Sequence, residues 1–257
     1  MKNHETSIIH PSSKIDDSVE IGPYCIIGED VEILQGTKLL SHVVIKGPTI
    51  IGANNIFYQF STIGEDTPDK KFKGEKTKLQ IGNNNIFREG VTVHRGTIQD
   101  KGITEIGSDN LFMAYSHIAH DCIIADSCIF SNAASLAGHV RVGKYVSLGG
   151  FTLVHQFCDI GNYAFSGLGT VISRDVTPFT LVAGNHAQAY KINTAGLKRK
   201  GFDVKVITAL EKIFKLFIKS KASRENVNQE YKKLNLKYPE VEYFVDFINS
   251  SERGVTR

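Results

Sequence analysis

Two histidines and a carboxylate in the middle of the chain have the types and spacing needed for proton transfer. His117, His120 and Asp121 lie within five residues of one another. A carboxylate held against one nitrogen of an imidazole fixes the tautomer and leaves the other nitrogen free as a base. The segment His117 to Asp121 therefore predicts a general base of the His–Asp type, provided that the surrounding fold holds it rigidly.

A six-residue repeat of apolar side chains surrounds this segment. From Ile9 to Ile63 every sixth residue is apolar, and the repeat resumes in a new register from Ile106 to Ile160. The fourth residue after each apolar position is usually small, and this second series contains all four cysteines: Cys25, Cys122, Cys128 and Cys158. We interpret these cysteines as buried small side chains, not as disulfides or zinc ligands.

Neither an α-helix nor an ordinary strand has a period of six. Three hexads make one turn of a triangular coil, which is the hexapeptide-repeat parallel β-helix. Residues 9 to about 178 would form roughly nine or ten coils at that repeat length. The repeat fails at Asp69 and Glu75, which predicts a polar loop over residues 65–78, and we place Ile63 and Ile81 one full coil apart. A second break at residues 99–105 shifts the register by one.

Residues eighteen apart stack in columns on such a coil, so His120, Gly138 and Gln156 share one column. The neighbouring histidines join the same edge of the prism: His117, His139 and His155. The N–H of Gly138 could face a developing oxyanion. No nucleophile is suitably placed, which favours direct acyl transfer to a hydroxyl or an amine. Zinc bound by histidines of neighbouring coils is an alternative.

The pattern becomes helical in the C-terminal part. Asp203 has the properties of an N-cap, a second helix is predicted from Ser223, and a third from Pro239. Residues 179–202 are interpreted as a connecting arm. Residues 198–237 contain twelve Lys or Arg and four Asp or Glu, a local excess of eight positive charges. These charges form either a solvated face or a binding surface for an acidic partner.

Composition narrows the class of protein. The 257 residues carry a formal net charge of only +3, so the chain is not an obvious nucleic-acid binder. No segment is apolar over the roughly 18 residues that span a membrane. The N-terminus lacks the apolar run of a secretion signal. We therefore expect a cytoplasmic protein without a membrane span.

Several longer motifs are specific to one family: Ser41-His42-Val43-Val44, Tyr58-Gln59-Phe60, Val93-His94-Arg95-Gly96-Thr97, Gly107-Ser108-Asp109-Asn110, His117-Ile118-Ala119-His120-Asp121, Leu136-Ala137-Gly138-His139-Val140, Val154-His155-Gln156-Phe157-Cys158, Gly184-Asn185-His186-Ala187, Gly196-Leu197-Lys198-Arg199 and the closing Arg253-Gly254. In these motifs the chain resembles, end to end, the UDP-N-acetylglucosamine O-acyltransferases that begin lipid A biosynthesis.

The resemblance implies a fold and an activity. The expected fold is an all-β left-handed parallel β-helix over residues 1–190, followed by a small α-helical C-terminal domain over residues 191–257. The expected reaction moves a (3R)-3-hydroxyacyl chain from acyl carrier protein to the 3-hydroxyl of UDP-N-acetylglucosamine. The enzyme would be a homotrimer with active sites between subunits. No metal or cofactor is expected apart from the phosphopantetheine of the carrier, and the acidic carrier would meet the basic C-terminal face.

The resemblance also implies roles for single residues. His120 is the expected general base, Asp121 its orienting partner and Gly138 the oxyanion donor. The matching substrate-contacting positions are Asp69, Lys71, His117, His139, Gln156, Asn193 and Arg199, and the column argument adds His155.

Two positions bear on the length of the acyl chain. Phe165 and Leu168 lie where the family measures that length. Leu168 is bulkier than the glycine of members that use longer chains, which predicts a shortened pocket. Ala195 replaces a glutamate that family members can carry near the substrate.

Four other functions remain as alternatives. The first is the N-acyltransferase that acts later in the same pathway, although it carries an additional N-terminal domain. The second is an acetyltransferase that uses acetyl-CoA, the third a hexapeptide zinc hydratase and the fourth a helix that only binds or supports. The sequence leaves open whether the acceptor sugar carries a 3-hydroxyl or a 3-amino group.

Overall fold

The computed structural model describes residues 2–220 and 223–257. Its strands, in chain order, are β1 (Lys2–Asn3), β2 (Ile8–Ile9), β3 (Lys14–Ile15), β4 (Glu20–Ile21), β5 (Ile26–Ile27), β6 (Val31–Ile33), β7 (Lys38–Leu39), β8 (Val44–Ile45), β9 (Thr49–Ile51), β10 (Ile56–Phe57), β11 (Thr62–Glu65), β12 (Lys78–Ile81), β13 (Ile86–Phe87), β14 (Thr92–His94), β15 (Ile103–Ile106), β16 (Leu111–Phe112), β17 (His117–Ile118), β18 (Ile123–Ile124), β19 (Ile129–Phe130), β20 (Ser135–Leu136), β21 (Arg141–Val142), β22 (Ser147–Leu148), β23 (Leu153–Val154), β24 (Asp159–Ile160), β25 (Phe165–Ser166), β26 (Val171–Ile172), β27 (Thr180–Ala183) and β28 (Gln188–Ile192).

These strands form the three faces of a prism. The first face is an eleven-stranded sheet that begins with β1, β4 and β7, the second a nine-stranded sheet that begins with β2, β5 and β8, and the third an eight-stranded sheet that begins with β3, β6 and β9. Neighbouring coils pair in parallel, while β27 and β28 form an antiparallel hairpin at the end of the first face. The predicted parallel β-helix is confirmed.

The apolar repeat fills the interior. Phenylalanines of successive coils stack along the first face, with ring centroids 4.6 Å apart for Phe57 and Phe87 and 4.9 Å apart for Phe87 and Phe112. The four cysteines are buried and free. Burial raises the pKa of both Cys122 and Cys128 to about 12, so these thiols stay protonated and unreactive. The interpretation of the cysteines as small core side chains is confirmed.

The placement of Ile63 and Ile81 one full coil apart is wrong. Ile63 lies on the second face, paired with Val93, whereas Ile81 lies on the third face, paired with Ile51. Equivalent residues on either side of the loop, such as Asn55 and Asn85, are 30 positions apart, twelve more than the regular eighteen. Twelve is a multiple of six, so the insertion leaves the apolar period intact and cannot be detected from that period.

The second break adds seven residues, since Asn84 and Asp109 occupy equivalent corners 25 positions apart. This confirms the predicted one-residue shift of register. Both insertions leave the prism where the chain turns from the second face to the third. His120 turns the same corner between β17 and β18. We call this corner, built by residues 119–122, 137–140 and 155–158, the His120 edge.

The C-terminal part contains α1 (Thr194–Arg199), α2 (Val204–Phe214), a π-helical turn (Lys215–Lys219), α3 (Arg224–Leu234) and α4 (Pro239–Ser250). The predicted helix starts are confirmed, with Asp203 and Ser223 as side-chain N-caps. The interpretation of residues 179–202 as a connecting arm is wrong, because β27 continues the first face beside β25 and folds back as β28. The strand β28 also crosses the predicted domain boundary at residue 190. Among the described residues no helix is long and apolar enough to cross a membrane.

Candidate active site

The His120 edge has a repeated backbone conformation that sets the direction of its side chains. At this corner each coil has one residue with a left-handed backbone. These residues are Asp121, His139 and Phe157, with φ values of 58°, 62° and 63°. They form one column along the edge. His120, Gly138 and Gln156 form the adjacent column, as the 18-residue spacing predicts.

His120 and Asp121 form a hydrogen-bonded pair, with 2.8 Å between Nδ1 and Oδ2. The Asp121 side chain is buried. Burial alone would raise the pKa of Asp121. Hydrogen bonds from His120 and Thr97 lower it by more, so the pKa of Asp121 is below its ordinary value. An ionised carboxylate accepts hydrogen bonds only, so Nδ1 of His120 carries the proton. The lone pair of Nε2 is therefore left free to accept a proton.

Gly138 lies directly against this imidazole. A Cβ atom at Gly138 would be 2.6 Å from Cε1 and 2.8 Å from Nε2 of His120, so only glycine fits under the ring. Along the edge between the third and first faces, a side chain of the next coil caps the equivalent N–H. Asn83 Oδ1 caps Ala53, for example, and Asp126 Oδ1 caps Ser108. The N–H of Gly138 donates to no atom among the described residues, which leaves it available beside His120.

His139 completes the inner wall of the site. Its Nδ1 lies 2.9 Å from Oδ2 of Asp100, and its ring stacks on Phe157 at 4.5 Å between centroids. The ring stands perpendicular to that of His120 at 5.0 Å. One ligand atom each from His120, Asp121 and His139 lie within 4.8 Å of one another, so this set could hold a metal ion.

His117 lies on the preceding strand, outside the pair. Its Nδ1 is 2.8 Å from the hydroxyl of Thr92, and its ring meets His94 edge-on at 5.1 Å. Burial lowers the pKa of both histidines, that of His94 to about 4. Both rings are therefore neutral at pH 7, and they form an uncharged wall beside His120.

His155 is joined to the C-terminal tail. Nη2 of Arg253 lies 3.0 Å from Nδ1 of His155, and Nε donates to the carbonyl of Ser173 at 3.2 Å. A cleft of about 560 Å³ runs from Asp121 and His139 to Arg253. Gln156 occupies the predicted column beside it and is exposed.

The remaining predicted substrate residues do not meet His120 within one chain. Asp69 and Lys71 form a local turn in which Oδ1 of Asp69 accepts from the N–H of Lys71 at 2.9 Å. Asn193 caps α1 and donates to the carbonyl of Tyr163 at 3.1 Å, on the edge between the third and first faces. Arg199 ends the same helix and is exposed.

The two residues predicted to measure acyl length lie on yet another part of the prism. Phe165 begins β25, and Leu168 is exposed at the turn from the first face to the second. The predicted site residues are thus distributed over all three edges.

Sequence reasoning missed the contacts that fix Asp121 and His139. Thr97 donates its N–H to Oδ1 of Asp121 at 2.9 Å and its hydroxyl to Oδ2 at 2.6 Å, while Thr104 accepts from the Asp121 N–H at 2.8 Å. With Asp100, these residues lie in or beside the seven-residue insertion. The break in the repeat shows that an insertion is present. The residues that the insertion contacts can be predicted only when the edge of the prism from which it projects is known.

Known proteins are similar to this chain in sequence. A family described as UDP N-acetylglucosamine O-acyltransferase, domain 2, matches residues 175–256. The acyl-[acyl-carrier-protein]–UDP-N-acetylglucosamine O-acyltransferase of Stutzerimonas stutzeri (strain A1501) is 51% identical over 98% of this chain and 97% of its own length. That of Pseudomonas putida (strain W619) is 52% identical over the same shares.

Solved structures are similar along the entire fold. LpxA from Acinetobacter baumannii is 46% identical with a TM-score of 0.95, covering 99% of both chains. The UDP-N-acetylglucosamine O-acyltransferase of Moraxella catarrhalis is 44% identical with a TM-score of 0.96, covering 100% of both chains. With the three parallel sheets, this similarity confirms the left-handed parallel β-helix and its helical C-terminal part.

Proposed function

The chain belongs to the family of UDP-N-acetylglucosamine O-acyltransferases, and we propose that it transfers a (3R)-3-hydroxyacyl chain from acyl carrier protein to the 3-hydroxyl of UDP-N-acetylglucosamine. This reaction would be the first step of lipid A biosynthesis. The observation that carries the mechanism is the pairing of His120 with a buried, ionised Asp121 beside the unpaired N–H of Gly138.

The pair supports direct transfer. Nε2 of His120 takes the proton of the sugar hydroxyl while the hydroxyl oxygen attacks the thioester carbonyl. The resulting oxyanion accepts a hydrogen bond from the N–H of Gly138. When the tetrahedral intermediate collapses, the carbon–sulfur bond breaks and the imidazolium returns its proton to the leaving thiolate of the phosphopantetheine arm. The products are the sugar ester and the carrier with a free thiol.

The surroundings of His120 favour this route over a covalent acyl-enzyme. The hydroxyl of Ser116 donates to the carbonyl of Met113, and that of Ser135 to the carbonyl of Ala133. The thiol of Cys122 points into the core with its pKa raised by burial to about 12. A nucleophile for covalent catalysis needs an adjacent base or a lowered pKa. The two hydroxyls and the thiol instead donate to backbone carbonyls.

A homotrimer would bring the dispersed residues together. An exposed apolar stripe runs along the edge between the first and second faces: Tyr24, Phe60, Tyr115, Phe151 and Leu168, the last 77% exposed. Contiguous exposed apolar surface of this kind marks an interface. A closed ring of three chains would place the His120 edge of one subunit against a different edge of its neighbour, so that Asn193, Arg199 or Leu168 of that neighbour would meet the substrate.

The basic C-terminal helices would receive the carrier. Lys205, Lys212, Lys215 and Lys219 are exposed on α2 and the turn that continues it. Clustered cations attract an acidic protein and accelerate its association. The thioester then arrives on the carrier's phosphopantetheine, and the proposed reaction uses no other cofactor.

The proposal is tested with purified protein, UDP-N-acetylglucosamine and carrier proteins loaded with 3-hydroxyacyl chains of graded length. Mass spectrometry should show a 3-O-acyl ester and a free carrier thiol. Acetyl-CoA and a 3-amino sugar nucleotide are the control substrates. Turnover with acetyl-CoA alone would overturn the donor, and loss of activity after dialysis against a chelator, restored by zinc, would favour the metal alternative. Light scattering should give the mass of three chains.

A further inference from the structure

The seven-residue insertion at the His120 edge touches the catalytic pair through Thr97. This side chain is buried, and its N–H and hydroxyl occupy both oxygens of the Asp121 carboxylate, at 2.9 and 2.6 Å. The hydroxyl shares Oδ2 with Nδ1 of His120. Thr97 therefore fixes the rotamer of Asp121 through both carboxylate oxygens.

The backbone of Asp121 is held as well as its side chain. Its own N–H is held by the hydroxyl of Thr104 at 2.8 Å. Thr97 lies in the insertion between β14 and β15, and Thr104 is the second residue of β15. A regular 18-residue coil would not bring the Thr97 hydroxyl to this carboxylate, because Thr97 lies 24 positions before Asp121.

The same insertion holds the second imidazole. Oδ2 of Asp100 lies 2.9 Å from Nδ1 of His139, which directs Nε2 of His139 toward Oδ2 of Asp121 at 3.9 Å. Two carboxylates thus orient two perpendicular imidazoles. One carboxylate belongs to the coil, and the other is supplied by the insertion.

We propose that Thr97 and Asp100 are positioning residues for the reaction, and that the insertion around residues 97–104 exists to orient the His120–Asp121 pair and His139. The proposal rests on the proposed role of His120 as base. Thr97 acts through Asp121: by sharing its charge, the hydroxyl limits how strongly the carboxylate favours the imidazolium form of His120. Neither Thr97 nor Asp100 needs to touch the substrate.

The decisive variant is Thr97→Val, which keeps the shape and the backbone N–H but removes the hydroxyl. We expect kcat to fall about tenfold, the effect of losing one hydrogen bond to a charged group, with less than a twofold change in KM. Because the Asp121 carboxylate then has one hydrogen bond fewer, the acidic limb of the kcat profile should move to higher pH. Thr97→Ser should restore both the rate and the profile.

Asp100→Ala tests the second contact, and Gln99→Ala is the matched control because Gln99 is an exposed neighbour on the same insertion. Asp100→Ala should lower kcat/KM severalfold without changing the melting temperature, while Gln99→Ala should match the wild type. A purely structural role for Thr97 would reduce the active fraction but leave the pH profile in place.

Two results separate this inference from the proposed function. If His120→Ala is inactive but Thr97→Val keeps the wild-type kcat and pH profile, the positioning role is wrong and the general base stands. If His120→Ala remains active, the general base fails, and the positioning role fails with it. Failure of Thr97→Ser to restore activity would also overturn the role of the hydroxyl.

Discussion

Gly138→Ala is the substitution whose effect the geometry fixes most closely. The new Cβ would lie 2.6 Å from Cε1 of His120, whereas carbon atoms pack at about 3.5–4.0 Å. The ring must therefore move by roughly 1 Å, and a misplacement of that size can cost about 100-fold in rate. We expect kcat to fall by that factor.

The fold should tolerate the change. Gly138 has no positive φ, so alanine is compatible with its backbone, and the Cβ collides with a side chain rather than the main chain. Gly28→Ala is the control, because a Cβ there meets nothing closer than 3.4 Å on the same edge several coils away. Steady-state kinetics with saturating carrier and sugar nucleotide, alongside thermal unfolding, measure both effects. A Gly138→Ala enzyme that folds and keeps kcat within threefold of wild type would refute the placement of His120 over Gly138.

Three further predictions concern specificity and stability. Leu168→Gly should lengthen the preferred acyl chain, because it removes the bulk where the family measures chain length; unchanged preference in competition between carriers of different length would contradict a role for Leu168. Phe87→Ala should lower the free energy of unfolding by about 3–5 kcal/mol, read from urea denaturation, because Phe87 is stacked between Phe57 and Phe112 in the core. Burial lowers the pKa of His94 to about 4, so as the pH falls the unfolded state binds a proton at this histidine before the folded state does. The free energy of unfolding should therefore fall as pH drops from about 6.5 towards 4. His94→Gln should flatten this dependence, and an equal dependence on pH for variant and wild type in urea titrations would rule the explanation out.

The repeat made most of the scaffold predictable. A period of six fixes which side chains point inward, so the burial of the cysteines and the column of His120, Gly138 and Gln156 followed from arithmetic alone. The helix starts followed from local capping by Asp203 and Ser223. These features depend on residues near in sequence or related by a constant interval.

The errors occurred where the interval changes. The twelve-residue insertion preserved the apolar period, and so Ile81 was assigned to the wrong face. The β27–β28 hairpin was missed because its partner strand, β25, belongs to the regular coil and offers no local signal. Thr97 lies just before the second break in the repeat and Asp100 lies within it, and their contacts with Asp121 and His139 depend on the path of the insertion in space.

The measurement that tests the central claim most directly is single-turnover acyl transfer by His120→Ala, with wild type and Gln99→Ala beside it. If Nε2 of His120 removes the proton of the acceptor hydroxyl, the variant should fold and assemble as the wild type does and lose at least 100-fold in the rate of ester formation. A His120→Ala enzyme that forms ester at more than a tenth of the wild-type rate would show that another group is the base.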